Sequence, residues 1–324
     1  MADDYFSALM NFADEIEEAY TFGKDVKAEG EIDKIVFVGM GGSAISGDIA
    51  RSYLDIRVPV FVCKSYDLPE FVDHRTLLIA ISYSGNTEET LSAVFNSTFR
   101  KNTKSVVITS GGRLAELCMK KGLTLISVPS GKQPRAAIAY LFFPVLNVLF
   151  NSGLIPNQDE FVKATVDSLR HSEIRKQAEE LAEKLFRKVP LVYASEGLSA
   201  VAYRWKTQFN ENSKVHAFSH VFPELNHNEL VGYGNLNADY YVVMLQDEED
   251  QMKIKDRMKL TKELIAKAGV QSTIVSITGN NRLTRIFSGI HLGDLTSCFL
   301  AKKLNTDPAK AEIIDELKSR LKKF

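Results

Sequence analysis

Two ten-residue stretches align without a gap: Ile35-Val-Phe-Val-Gly-Met-Gly41-Gly-Ser43-Ala44 and Leu191-Val-Tyr-Ala-Ser-Glu-Gly197-Leu-Ser199-Ala200. Each copy is an apolar strand that breaks at a turn and resumes through serine and alanine as a helix. Around both copies, short apolar runs alternate with segments of helical periodicity. Alternation at these lengths means parallel strands joined by covering helices, with right-handed crossovers. The repeat is too long for a solenoid unit. The expected fold is α/β: two similar domains, each a parallel β-sheet flanked by α-helices. A chain of 324 residues can bury two separate cores.

The first half predicts strands over 35–38, 58–63, 77–82, 105–109 and 123–128, with helices over 43–53, 87–99 and 114–121. Before them, Phe6, Leu9, Met10, Ala13, Ile16 and Tyr20 form a helical stripe, predicting a helix over 5–23. The apolar run 136–150 reads as a buried helix containing Pro144, too short to span a bilayer. Around Ile155-Pro156-Asn157-Gln158 the pattern lapses, so domains are expected over 1–153 and 154–324. A charged helical segment over 160–188 then leads into the second copy. Its later strands are predicted at 215–218, 240–245, 273–277 and around 285–290.

The third strand of the first half releases into Ser82-Tyr-Ser84-Gly85-Asn86-Thr87, just before a helix. A helix start presents unpaired N–H groups and the positive end of the macrodipole, which suits an anion. Ser82, Ser84 and Thr87 add hydroxyl donors, and Gly85 lets the backbone approach closely. A capping box, with Ser84 or Asn86 capping and Glu88 or Glu89 reaching back, accounts for one hydroxyl but not for all three. Phosphate binding is the better reading. The second half offers Gln246-Asp-Glu-Glu-Asp-Gln251 at the matching place, which is acidic and unsuited to an anion. One phosphate site per chain is expected.

Gly39-Met-Gly41-Gly-Ser-Ala44 satisfies the dinucleotide fingerprint in its Gly/Ala form. The acid that should end the following strand is missing: Cys63-Lys64-Ser65 stands there, and Asp67 comes only after the turn. Gly41, Gly42 and Ser43 are better used to seat a sugar phosphate at the carboxyl edge of the sheet than to bind NAD. Arg135, after Pro134, leaves the fifth strand on that same edge. It is either a solvated loop cation or a fixed charge for a phosphate or a developing enediolate.

Two stretches of the second half hold further candidates. Glu211, between Asn210 and Asn212, ends a predicted helix where it opposes the dipole. It is either solvated or kept there for a function. His227, in Glu224-Leu-Asn226-His227-Asn228-Glu229, is either a capping element or a working group. His216, His220 and Glu224 are spaced four apart, but they share one face only if the segment is helical. The segment reads as a strand, so no metal site is expected.

A formal charge of −1 gives no footprint for nucleic acid or an anionic membrane. Cys63, Cys118 and Cys298 lie far apart and read as thiols of a reducing compartment. The acidic start Met1-Ala-Asp-Asp lacks the basic n-region of a signal peptide, so a cytoplasmic protein is expected.

With the serine-threonine loop, the Gly-Gly-Ser turn, Pro134-Arg135, Asn210-Glu211-Asn212 and Glu224-Leu-Asn-His227-Asn-Glu229 together, the chain resembles the bifunctional phosphoglucose/phosphomannose isomerases. These are archaeal-type enzymes of two sugar-isomerase (SIS) domains, and the likeness covers nearly the whole chain. The loop marks SIS domains generally, sensors included, whereas the glutamate and histidine segments are specific to isomerases. The resemblance implies phosphate binding by Ser43, Ser82, Ser84 and Thr87 in the first domain. It implies that Glu211 moves a proton between C1 and C2 and that Arg135 stabilises a cis-enediolate. His227 would open the sugar ring from the neighbouring subunit of a homodimer. Thr296 matches a position that handles the C2 hydroxyl, and Lys303, or else Lys302, matches an active-site lysine.

The substrates implied are hexose 6-phosphates: glucose or mannose 6-phosphate, interconverted with fructose 6-phosphate. Such an isomerisation needs a base above the C1–C2 edge, a cation near the enediolate oxygens and a remote anchor, but no metal or redox cofactor. The alternatives are a sugar-phosphate-sensing module without turnover, or another SIS sugar-phosphate isomerase. A sensor has no need of Glu211, Arg135 and His227 together. A transferase of the same fold would want a glutamine-hydrolysing domain as well.

Overall fold

A computed structural model describes residues 2–97, 102–171 and 173–321. Contacts gather these into two units. The first comprises 11–171 with 279–287, and the second comprises 2–10, 173–278 and 288–321.

The first unit is built on five parallel strands in the order β2-β1-β3-β4-β5. They are β1 Lys34–Val38, β2 Val60–Cys63, β3 Thr76–Ile81, β4 Lys104–Thr109 and β5 Thr124–Ser127. Every residue of β3 is buried, as its unbroken apolar run requires of a central parallel strand. One face of the sheet carries Val36, Val38, Leu78, Ala80 and Val107 against Ala93, Val94, Leu114 and Cys118 of the helices that follow β3 and β4. Those helices are α4 Glu88–Asn96 and α5 Gly112–Lys121. The expected end of the first at Phe99 lies outside the described residues. On the other face, α3 Gly42–Tyr53 lies so close that a Cβ on Gly47 would meet the Cβ of Phe37 at 2.6 Å. The helix α6 Ile138–Asn151 is buried from Ile138 to Leu149, Pro144 included. Asn147 is tolerated there because its amide donates to the carbonyls of Tyr20 and Phe22.

The second unit has four parallel strands in the order β7-β6-β8-β9. They are β6 Val189–Ser195, β7 Phe218–Phe222, β8 Tyr240–Asp247 and β9 Gln271–Ile277. This order repeats β2-β1-β3-β4 of the first sheet, so the ungapped sequence repeat is a structural one. The helix α9 Ser199–Glu211 follows β6, and α10 Met252–Lys267 follows β8.

Four expectations need correction. Residues 285–290 are not a strand but part of the long helix α11 Arg282–Lys303. Leu283, Ile286, Phe287 and Ile290 are all buried, and so short an apolar run hides its period. The opening helix is two, α1 Ala2–Met10 and α2 Phe12–Ala19, and the charged segment is also two, α7 Asp159–Arg170 and α8 Ile174–Leu185. The strand expected over 215–218 begins only at Phe218 and runs to Phe222, as β7. The chain closes with α12 Glu312–Leu321. Among the described residues, no helix is long and apolar enough to cross a membrane.

Candidate active site

The hydroxyl loop leaves β3 at the carboxyl edge of the first sheet. Ser82 is buried and donates to Thr87 Oγ1 at 3.0 Å, so two of the three hydroxyls form one chain. Ser84 is exposed, and its Oγ accepts from Asn86 N at 3.3 Å. The N-cap of α4 is Thr87, in an extended conformation and with no side-chain cap. The capping box is therefore not formed, and the first turn of α4 keeps amides to offer an anion.

Gly85 has φ +64°, and a Cβ there would stand 1.8 Å from Gly111 O. The turn after β4 presses on the loop at this point and clamps it from outside. Ser110 Oγ donates to Tyr83 O at 2.6 Å, Arg113 N to Asn86 Oδ1 at 3.2 Å and Leu114 N to Gly85 O at 2.9 Å.

A neighbouring residue joins three loops into one surface. Tyr83 N donates to Ser43 Oγ at 3.4 Å, which ties the hydroxyl loop to the start of α3. The Tyr83 phenol donates to Pro129 O at 2.9 Å and accepts from Lys132 N at 3.0 Å, which ties it to the loop leading to Arg135. Burial holds this phenol above the usual tyrosine range. Arg135 is buried in a 3-10 turn, Pro134–Ala136, and a Cβ on Gly42 would come within 3.4 Å of its Cα. Gly41, with φ +52°, caps α3 without a side chain. The structure thus brings Gly41, Gly42, Ser43, Ser82, Ser84, Thr87 and Arg135 to one edge of one sheet. Lys132 also reaches the buried Glu15, whose carboxyl is raised by burial against the pull of that lysine.

In the second unit Glu211 is the last residue of α9 and is half-buried. Lys214 Nζ bonds its main-chain carbonyl, which offsets the negative end of the helix where the carboxylate sits. His227 ends the 3-10 turn Glu224–His227 and is exposed. The other carboxylates of that segment are engaged: Glu224 accepts from Asn228 Nδ2 at 2.7 Å, and Glu229 from the Tyr193 phenol at 2.6 Å. Thr296 is completely buried, its hydroxyl donating to Leu292 O at 2.7 Å, so it presents no atom at this chain's surface. Lys303 is half-buried and paired with Glu183, while Lys302 is exposed. His216 precedes β7, His220 lies within it and Glu224 follows it, so the spacing of four has no helix to act through. Among the described residues, no group of three or more His, Cys, Asp or Glu could hold a metal ion.

Sequence reasoning missed Tyr83, Lys132 and a buried polar stripe on α9. Arg204, Gln208 and Asn212 are four apart, and Arg204 and Gln208 both bond Asp294 of α11. The spacing was a usable signal. The partner, far along the chain, was not.

Residues 31–130 match the SIS domain family, and residues 174–321 match the family described as bacterial phospho-glucose isomerase C-terminal SIS domain. The chain is 43% identical to a bifunctional phosphoglucose/phosphomannose isomerase of Caldicellulosiruptor bescii, with 98% of each chain covered. It is 37% identical to one of Thermoplasma acidophilum, covering 97% of this chain and 99% of that one. A D-glucosamine-6-phosphate 4-epimerase of Sulfolobus acidocaldarius is 32% identical over 92% of each chain. The fold is shared with a glucosamine-6-phosphate deaminase of Thermotoga maritima, at a TM-score of 0.70, 17% identity and coverage of 94% and 97%. Full-length identity of this order, with SIS domains in both halves, makes the chain a member of the bifunctional phosphoglucose/phosphomannose isomerase family.

Proposed function

We propose that this protein interconverts glucose 6-phosphate and mannose 6-phosphate with fructose 6-phosphate through a cis-enediolate. The observation that carries this is the family membership along the full chain. The hydroxyl loop supports it as a fitting anchor: three hydroxyls, an uncapped helix start and a buried arginine on one edge. In this reading Ser43, Ser82, Ser84 and Thr87, with the turn at Gly41 and Gly42, bind the phosphate. Its binding energy holds C1 and C2 in place. Glu211 takes the proton from C2 of the open-chain aldose and returns it to C1. Arg135 faces the charge that develops on the enediolate oxygens. Glucose and mannose phosphates differ only in configuration at C2, and that difference vanishes when C2 becomes planar. One base therefore serves both. The shift is an internal redox exchange between two carbons, so it calls for no external oxidant.

We assign the phosphate site to residues 1–153 and the base and histidine to 154–324, with Lys303 assisting. We further propose a cytoplasmic homodimer in which His227 of one subunit serves its partner's site in ring opening. The first test is a coupled assay on glucose, mannose and glucosamine 6-phosphates. Turnover of the first two supports the reading. Epimerisation of the amino sugar alone would favour the activity of the Sulfolobus acidocaldarius relative. The dimer is tested by mixing. Glu211→Gln and His227→Ala homodimers should both be impaired, and heterodimers should regain activity, because one site then carries neither lesion. Verified heterodimers without recovery would return His227 to its own chain.

A further inference from the structure

Glu211 is the last residue of its helix, where ends fray and carbonyls lack partners. A base must be held within about 0.5 Å of its working position, so something has to fix this turn. Asn212 does so from the next position. It is fully buried, and its main-chain N–H continues the helix onto Gln208 O at 2.8 Å. Its side-chain amide is held at both ends: Oδ1 accepts from the Tyr5 phenol at 3.1 Å, and Nδ2 donates to Ser297 Oγ at 2.9 Å. Ser297 Oγ is fixed in turn by donating to Asp294 O at 2.7 Å, while Ser213 Oγ donates to Ser297 O at 2.6 Å. Beyond the turn, Asn210 Nδ2 donates to Val215 O at 2.8 Å.

These bonds complete the polar stripe. Arg204, Gln208 and Asn212 lie on one face of α9, and all three are bonded to α11. Glu211 is one residue off that stripe, about 100° around the helix, which leaves it off the locked face. Apolar packing alone would hold α9 down without fixing its rotation. Directional hydrogen bonds from a buried amide held at both ends fix the rotation of the last turn.

We propose that Tyr5, Asn212 and Ser297 form a positioning set that aims the Glu211 carboxylate, with the opening helix α1 contributing Tyr5 to the reaction. This rests on Glu211 being the base. Tyr5 touches no substrate in this reading and acts only through Asn212.

The test is a double-mutant cycle with Tyr5→Phe, which removes one hydroxyl, in wild-type and Glu211→Gln backgrounds. In wild type, kcat should fall about tenfold for both aldose phosphates, as a misplaced base requires. KM should stay within about twofold, because the phosphate anchor is untouched. In Glu211→Gln, which can no longer accept the proton, Tyr5→Phe should cost nothing further. An equal loss in both backgrounds would mean the network acts on something other than this carboxylate, and an unchanged kcat in wild type would mean it positions nothing. Either result overturns the proposal while leaving Glu211 as base. Wild-type turnover by Glu211→Gln itself would overturn both assignments. Should Tyr5→Phe fail to fold, Ser297→Ala breaks the other end of the same amide and is read through the same cycle.

Discussion

The two sheets pose the same question at the same place and answer it oppositely. Strand registers pair Val38 with Ala80 in the first sheet and Ala194 with Leu245 in the second. Ser82 therefore corresponds to Asp247, one residue beyond the Gln246 that the sequence alone aligned with it. Ser84 then corresponds to Glu249. In the first loop the helix start has hydroxyls around it and no side-chain cap. In the second, the loop carries its own anions: Asp247 Oδ1 accepts from Glu249 N, and Asp250 Oδ2 from Asp247 N, both at 2.9 Å. Burial raises the Asp250 carboxyl, the cost of holding an acid there. A fold with two equivalent carboxyl edges thus has one edge lined by hydroxyls and the other already filled by carboxylates.

That contrast can be broken in order of effect. Glu211→Gln should lower kcat by about 10²–10⁴-fold with little change in affinity, separating the chemistry of the second half from the anchoring of the first. Steady-state kinetics on both aldose phosphates would show it, and a raised KM instead would place Glu211 in binding. Ser84→Glu, which writes the second loop's residue into the first, should raise KM about 100-fold or more. It removes a charge-assisted bond worth about 1.5–3 kcal/mol and adds like-charge repulsion. Titration with fructose 6-phosphate measures this loss, and tight binding by the variant would reduce the loop to a helix start. The reciprocal Glu249→Ser should leave KM within about twofold, because Asp247 and Asp250 still fill the second loop's amides. A new phosphate site in that variant would show the contrast to rest on one residue.

The sheets could be read ahead of the structure because β1, β3 and β8 each contain a continuous apolar run, and a central parallel strand needs little else. The hydroxyl loop was legible for a similar reason, since its donors are adjacent in sequence. Residues 285–290 were not, because a helix buried on all sides shows no polar face to betray its period. Arg204, Gln208 and Asn212 look like surface residues until Asp294 and Ser297 are beside them. Tyr83, between two serines, shows no sign in the sequence that its phenol ties the edge together. Buried polar groups are chosen by partners far away along the chain, and spacing does not name those partners.

The bonds of Tyr83 also bear on how this edge opens. The serine loop, the start of α3 and the segment running to Arg135 are joined to one another through one residue. Local opening of any one breaks the tie of the others, so the three should behave as a single cooperative unit. In native-state hydrogen exchange, the Tyr83 amide and the Lys132 amide should share one opening free energy despite lying far apart in sequence. Replacing Tyr83 by phenylalanine should uncouple them, with the Lys132 amide exchanging first.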